Sequence, residues 1–206
     1  MITEKIKQPV LTGKRVWYTM LRPKGDGIMK KDWTVVELLR LARHDWLNKI
    51  QLIQGYLAMN NIEKVKEIID QIVRDASKDS KLSNLGQEQF AALLLTSNWQ
   101  EGYPFIVHYE IEGNQKLQAD DHQLAGWFDD FFQTLSKHIS VENENELHIS
   151  IQNREKNNQS FTIEFYGIIQ NKDAVLQYLY KDFPFCLIED IQLSDEACTF
   201  QLILKS

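Results

Sequence analysis

Cysteine is nearly absent: Cys186 and Cys198 are the only two in a chain of 206 residues. That excludes a disulfide framework and a cysteine-paired metal site, and the simplest reading is a reduced, cytoplasmic protein. There is no excess of positive charge. The formal net charge of −6 does not favour nonspecific nucleic-acid binding. Long apolar runs are missing too, so no stretch is expected to cross a bilayer, and no secretory signal pattern opens the chain. Glycine occurs nine times and never as a phosphate-cradling loop. What remains, 43% hydrophobic and 25% charged, is the composition of a globular protein with one or two small cores.

Residues 1–30 differ from the rest, with Pro9, Pro23, Gly13, Gly25 and Gly27 and no sustained period. They read as a loose arm. Lys24-Gly25-Asp26-Gly27 can be encoded by a purine-rich, ribosome-site-like stretch just before Met29. The expectation is translation from Met29, with the arm an upstream extension that the natural product lacks.

From about 33 to 59 the apolar positions Val35, Leu39, Ala42, Trp46, Ile50, Ile53 and Leu57 recur at spacings of three and four. Asn60-Asn61 breaks the pattern, because Asn tolerates the left-handed conformation that ends helices. A second helix is expected from about 63 to 82, with Val65, Ile68, Ile69, Ile72, Val73 and Ala76 as its stripe. Two helices with so short a break form an antiparallel hairpin. Two helices alone cannot enclose a core. Two hairpins pairing into a four-helix bundle would solve this, hence a homodimer; the alternative is packing on the chain's own C-terminal part.

After Gly86 the character changes. Residues 87–99 read as a helix, 105–111 as a strand and 121–140 as a long helix. Strands follow at 146–151 and 160–166 with an Asn-rich hairpin loop between them, then a helix at 174–180 and strands at 185–193 and 197–204. The fold class is therefore α+β: a helical hairpin (31–85) followed by an α/β sandwich (86–206) with its helices on one sheet face.

One histidine stands apart. Counting about 100° per residue from Leu39, His44 falls near 140°, Asn48 near 180°, Gln51 near 120° and Gly55 near 160°, all away from the apolar stripe. Arg40 and Leu47 border this face on one side and Leu41 on the other. Gly55 removes side-chain bulk at a helix cost of about 1 kcal/mol, which is understandable if something large must approach. Metal binding at His44 is not expected, since the i+4 position is Asn48 and not a second ligand. A bundle face has no pocket for base catalysis. Phosphoryl acceptance remains, because a neutral imidazole is a good nucleophile near pH 7. Asp45 could hydrogen-bond the ring and bias its tautomer; Arg43 and Lys49 add positive charge, off the central face. The bland reading is an incidental surface histidine on a dimeric scaffold. His108, His122, His138 and His148 read as ordinary surface or strand residues.

The run Arg43-His44-Asp45-Trp46-Leu47-Asn48-Lys49-Ile50-Gln51-Leu52-Ile53-Gln54-Gly55 resembles the phosphoacceptor helix of the sporulation initiation phosphotransferase B family, as do Ser80-Lys81-Leu82-Ser83-Asn84-Leu85 and Asn98-Trp99. The His-Asp-x-x-Asn-Lys core is also shared with citrate-sensing kinases. The resemblance runs from about Trp33 to the end. It implies a dimer and a place in the middle of a phosphorelay. His44 would take a phosphoryl group from an aspartyl phosphate of a single-domain response regulator. It would pass the group to an aspartate of a second regulator, a transcription factor committing the cell to sporulation. The attacking atom is expected to be Nε2. The chain would need no cofactor of its own, the receiver supplying the divalent ion (magnesium). Asn48 and Gln51 would act as donors beside His44, and Arg40, Leu41, Leu47 and Gly55 would form the docking rim. No membrane or nucleic-acid contact is implied.

The α/β part is similar in element order to the ATP-binding domain of histidine kinases. The features such a domain needs are missing. Asp130 and Thr134 stand nearest the places of its asparagines, and no Asp precedes the glycine in Phe165-Tyr166-Gly167-Ile168-Ile169. The expectation is a degenerate domain without an ATP site. The competing reading is an ATP-dependent sensor histidine kinase core.

Overall fold

The computed structural model describes residues 34–99, 103–155 and 158–205. The arm expected over 1–30 lies outside the described residues.

Helix α1 (Val35–Ala58) begins at a reciprocal cap. The Thr34 hydroxyl accepts from the Glu37 N–H at 3.2 Å, and the Glu37 carboxylate accepts from the Thr34 N–H at 3.0 Å. It ends where expected. Asn60 takes φ 55°, and the Asn61 side chain then caps α2 (Ile62–Ser83) by accepting from the Lys64 N–H at 3.2 Å. The two helices form the hairpin, yet no residue of α1 is buried within the chain. Leu39 stays 60% exposed and Val73 61%, with Trp46, Ile50, Leu57 and Ile69 also open. At its base the hairpin is anchored: Leu82 and Leu85 are enclosed in the core of the following unit.

That unit runs α3 (Glu88–Ser97), β1 (Ile106–Gly113), α4 (Asp121–His138), β2 (Glu146–Glu155), β3 (Asn158–Tyr166), α5 (Lys172–Leu179), β4 (Cys186–Leu193) and β5 (Ala197–Leu204). The element order is the expected one. The strands form one sheet in the order β1-β2-β3-β5-β4. Only β1 and β2 are parallel, because α4 carries the chain back across the sheet between them. Alternation decides the faces. Leu147, Ile149, Ile151, Phe161, Ile163 and Phe165 are buried, while His148, Ser150, Thr162 and Glu164 between them are half-exposed. The buried face meets α4 through Trp127, Phe128, Phe131 and Phe132, an aromatic layer in which Phe90 and Phe128 lie 4.8 Å apart. The Asp121 carboxylate at the start of α4 accepts from the N–H groups of Gln89 and Phe90 at 2.8 and 3.0 Å, capping α3 from a neighbouring element.

The Asn-rich hairpin loop is shorter than its composition predicts. β2 continues to Glu155 and β3 starts at Asn158, because Gln152 pairs with Ser160 and Glu155 with Asn158. Asn153 is buried there, its amide donating to the Gln115 carbonyl, and Gln159 bonds the backbone of Lys116 and Gln118. These polar side chains fasten the connection from β1 to α4, a tertiary role that a local reading assigns to loop.

β1 is an edge strand. The Asn98 amide closes part of that edge, donating to the Val107 carbonyl and accepting from the Val107 N–H, both at 2.8 Å. The end of α2 leans on the same strand: Lys78 pairs with Glu110 at 2.9 Å and the Tyr109 hydroxyl donates to Asp79 at 2.5 Å.

Candidate phosphoacceptor site

His44 lies near the middle of α1 and is exposed, as are Arg40, Arg43, Leu47, Gln51 and Gly55. Leu41 and Asn48 are half-buried. The helical face drawn from periodicity thus exists, a row of polar side chains and one glycine beside the open apolar stripe. At Gly55 an added Cβ would meet nothing within 4 Å, so the surface is flat and accessible at that point.

Among the described residues, the ring has one hydrogen-bonding neighbour. His44 Nδ1 stands 3.2 Å from the Asn48 side-chain amide. Residues four apart on a helix face each other, whereas adjacent residues diverge by about 100°. This corrects the role expected for Asp45. Its carboxylate turns away and pairs with Lys49 Nζ at 2.9 Å. Lys49 is correspondingly committed, lying also 5.7 Å from the Trp46 ring. Arg43 projects from the neighbouring face. Because the Asn48 contact is made at Nδ1, Nε2 is the nitrogen left facing outward. The Asn48 atom placed there is its Nδ2 amide nitrogen, which donates to Nδ1; attack through Nε2 needs the other tautomer, with the proton on Nδ1 and the Asn48 amide presenting its oxygen instead.

The positions set against a kinase's nucleotide site lie on α4 and just after β3. Asp129 accepts from the Tyr103 hydroxyl at 2.9 Å and from the Gln133 amide at 3.1 Å. Asp130 is exposed and Thr134 half-buried on α4. Gly167, at φ 155°, is pressed against Asn145, whose amide bonds the carbonyls of Pro104 and Ser140 at 2.9 and 2.8 Å; a side chain at 167 would collide with it. Among the described residues, no helix is long and apolar enough to cross a membrane.

Periodicity misses a second grouping. The parallel register sets His108 beside His148, with ring centroids 4.7 Å apart, and Glu146 completes the group. Nothing local in the sequence reveals this, since the partners lie forty positions apart and meet only once β1 and β2 are in register.

Comparison with known proteins matches the chain in two parts. Residues 29–85 match the family model described as the sensor kinase SpoOB-type alpha-helical domain, and 86–205 match that of sporulation initiation phosphotransferase B, C-terminal. Sporulation initiation phosphotransferase B of Bacillus subtilis (strain 168) is 37% identical over 173 residues, covering 82% of this chain and 88% of that protein. Matched from the helical hairpin through the final strand, the chain belongs to the sporulation initiation phosphotransferase B family, and its activity is that of a phosphotransferase.

Proposed function

We propose that His44 is the phosphoacceptor of a two-step relay between response regulators. In the first step Nε2 attacks the phosphorus of a receiver's aspartyl phosphate in line; the N–P bond forms as the P–O bond breaks, and the aspartate leaves as a carboxylate. In the second step an aspartate of another receiver attacks the phosphohistidine and the imidazole leaves neutral. The donor is a single-domain regulator and the acceptor a transcription factor controlling sporulation. One observation carries this reading: an exposed imidazole on a rigid helix, tied at Nδ1 and open at Nε2. The chain's contribution is position, since a fixed ring converts encounter into alignment.

The divalent ion that balances the phosphoryl charge is assigned to the receiver. Beside His44 this chain offers the amides of Asn48 and Gln51 and the Arg40 cation, while Asp45, next in sequence, is paired with Lys49. Arg40, Leu41, Leu47 and Gly55 form the docking rim. The working form is a homodimer in a reducing cytoplasm. The half-covered stripes of α1 and α2 support the dimer: each apolar side chain enclosed there contributes about 1.5–3 kcal/mol.

The test is to incubate the chain with a phosphorylated receiver and follow label onto protein. Wild type acquires acid-labile, base-stable phosphate; His44→Gln acquires none and still forms the dimer. Label persisting on that variant would remove the assignment.

A further inference from the structure

We propose that His108, Glu146 and His148 form a binding site for a zinc-class divalent transition-metal ion on the open face of the sheet. Glu146 and His148 are two apart on β2 and therefore project from one face. The parallel register places His108 of β1 directly opposite His148. One strand thus supplies two ligands and its neighbour the third.

The geometry is close to that of a bound site. One donor atom from each residue lies within 4.8 Å of the others, and His148 Nε2 is already 3.1 Å from Glu146 Oε2. Metal bonds of about 2.0–2.1 Å in a tetrahedral arrangement require donors about 3.4 Å apart, so donors now within 4.8 Å must draw together by at most about 1.4 Å. The backbone is fixed by the strand ladder, and all three residues are half-buried, which lowers competition from water. Two imidazoles and one carboxylate are the donor set of zinc, not of calcium or magnesium, which take oxygen ligands throughout. The fourth position opens into the groove between sheet and hairpin, where Asp45 and Lys49 of α1 and Lys78 and Asp79 of α2 also lie. Beyond the ligands, Tyr166 packs edge-on at 5.7 Å from the His148 ring, and Glu164 stands opposite His148 in the β3 register. This departs from the reading of His108 and His148 as ordinary surface or strand residues.

The proposal is independent of the role of His44, and the test separates the two. Zinc is titrated into the full chain by calorimetry, and cobalt(II) is added in parallel to read visible d–d absorption. The expected result is saturable binding of one ion per chain at micromolar zinc, with an intense low-coordinate cobalt spectrum. Affinity should fall at least about tenfold, roughly 1.4 kcal/mol, in His148→Ala and His108→Ala. It should be unchanged in His44→Gln and His122→Ala. If His148→Ala loses its native circular dichroism, Glu146→Gln, a change of one atom at a half-exposed position, serves instead. Absence of saturable binding, or equal affinity in the ligand variants and wild type, would overturn the site.

Discussion

At the scale of single residues, the hydrogen bond between Asn48 and His44 Nδ1 is the contact that gives the imidazole a direction. Its loss leaves the nucleophile present and poorly aimed. Asn48→Ala should therefore slow transfer about tenfold, the rate equivalent of roughly 1–2 kcal/mol for one such bond, with docking affinity little changed. Rapid-quench kinetics under single turnover separate the two. Asn48 was legible from helical spacing, since i and i+4 meet; the adjacent Asp45 diverges for the same reason. Other single residues set the alkaline limit of the fold. Burial pushes the Cys186 thiol up to about 11 and the Cys198 thiol up to about 12. It also raises the hydroxyls of Tyr103 and Tyr178 well above the tyrosine range. Each neutral form is favoured by folding. For the thiols that contribution is whole below the ordinary value of about 9 and is lost as pH rises from there toward 11 and 12. Denaturant midpoints should thus fall progressively above pH 9, and both thiols should react with a disulfide reagent at pH 8 only after unfolding.

At the scale of elements, α1 serves two surfaces. One side carries the row of His44, Gln51 and Gly55; another carries Leu39, Trp46, Ile50 and Leu57. Substitutions should sort accordingly. Leu47→Asp adds a charge to the docking rim and should weaken receiver binding more than thermal stability. Ile53→Asp puts a carboxylate into the stripe and should reverse that order. Gly55→Ala gives the cleanest contrast. Alanine meets no neighbouring atom and is the better helix former by about 1 kcal/mol, so the melting temperature should rise while a bulkier face slows transfer. The hairpin was legible because its signals are local: a stripe at 3.6-residue period and the Asn60-Asn61 turn. The β2–β3 connection was not. Asn153 and Gln159 are polar residues buried by contacts with Gln115, Lys116 and Gln118, and composition alone assigns such residues to loop.

At the scale of the whole molecule, the α/β unit has the element order set against a kinase's ATP-binding domain, and the positions nearest that domain's asparagines hold Asp130, exposed, and Thr134, half-buried. Asp129 and Asn145 are both engaged in hydrogen bonds. Incubation with radiolabelled ATP alone should leave the chain unlabelled, and appearance of phosphohistidine under those conditions would favour a kinase instead. The missing nucleotide motif was visible in the sequence because it is a run of adjacent residues. The pairing of His108 with His148 was invisible because it is made by register across the sheet.

The Asn98 amide has a consequence beyond the single molecule. By satisfying both backbone groups of Val107, it occupies the place that a strand from another copy would take. A side chain in that position shields this stretch of the edge from pairing with another strand. Asn98→Ala should leave the isolated protein folded and make concentrated solutions scatter light, through edge-to-edge pairing of β1 with β1.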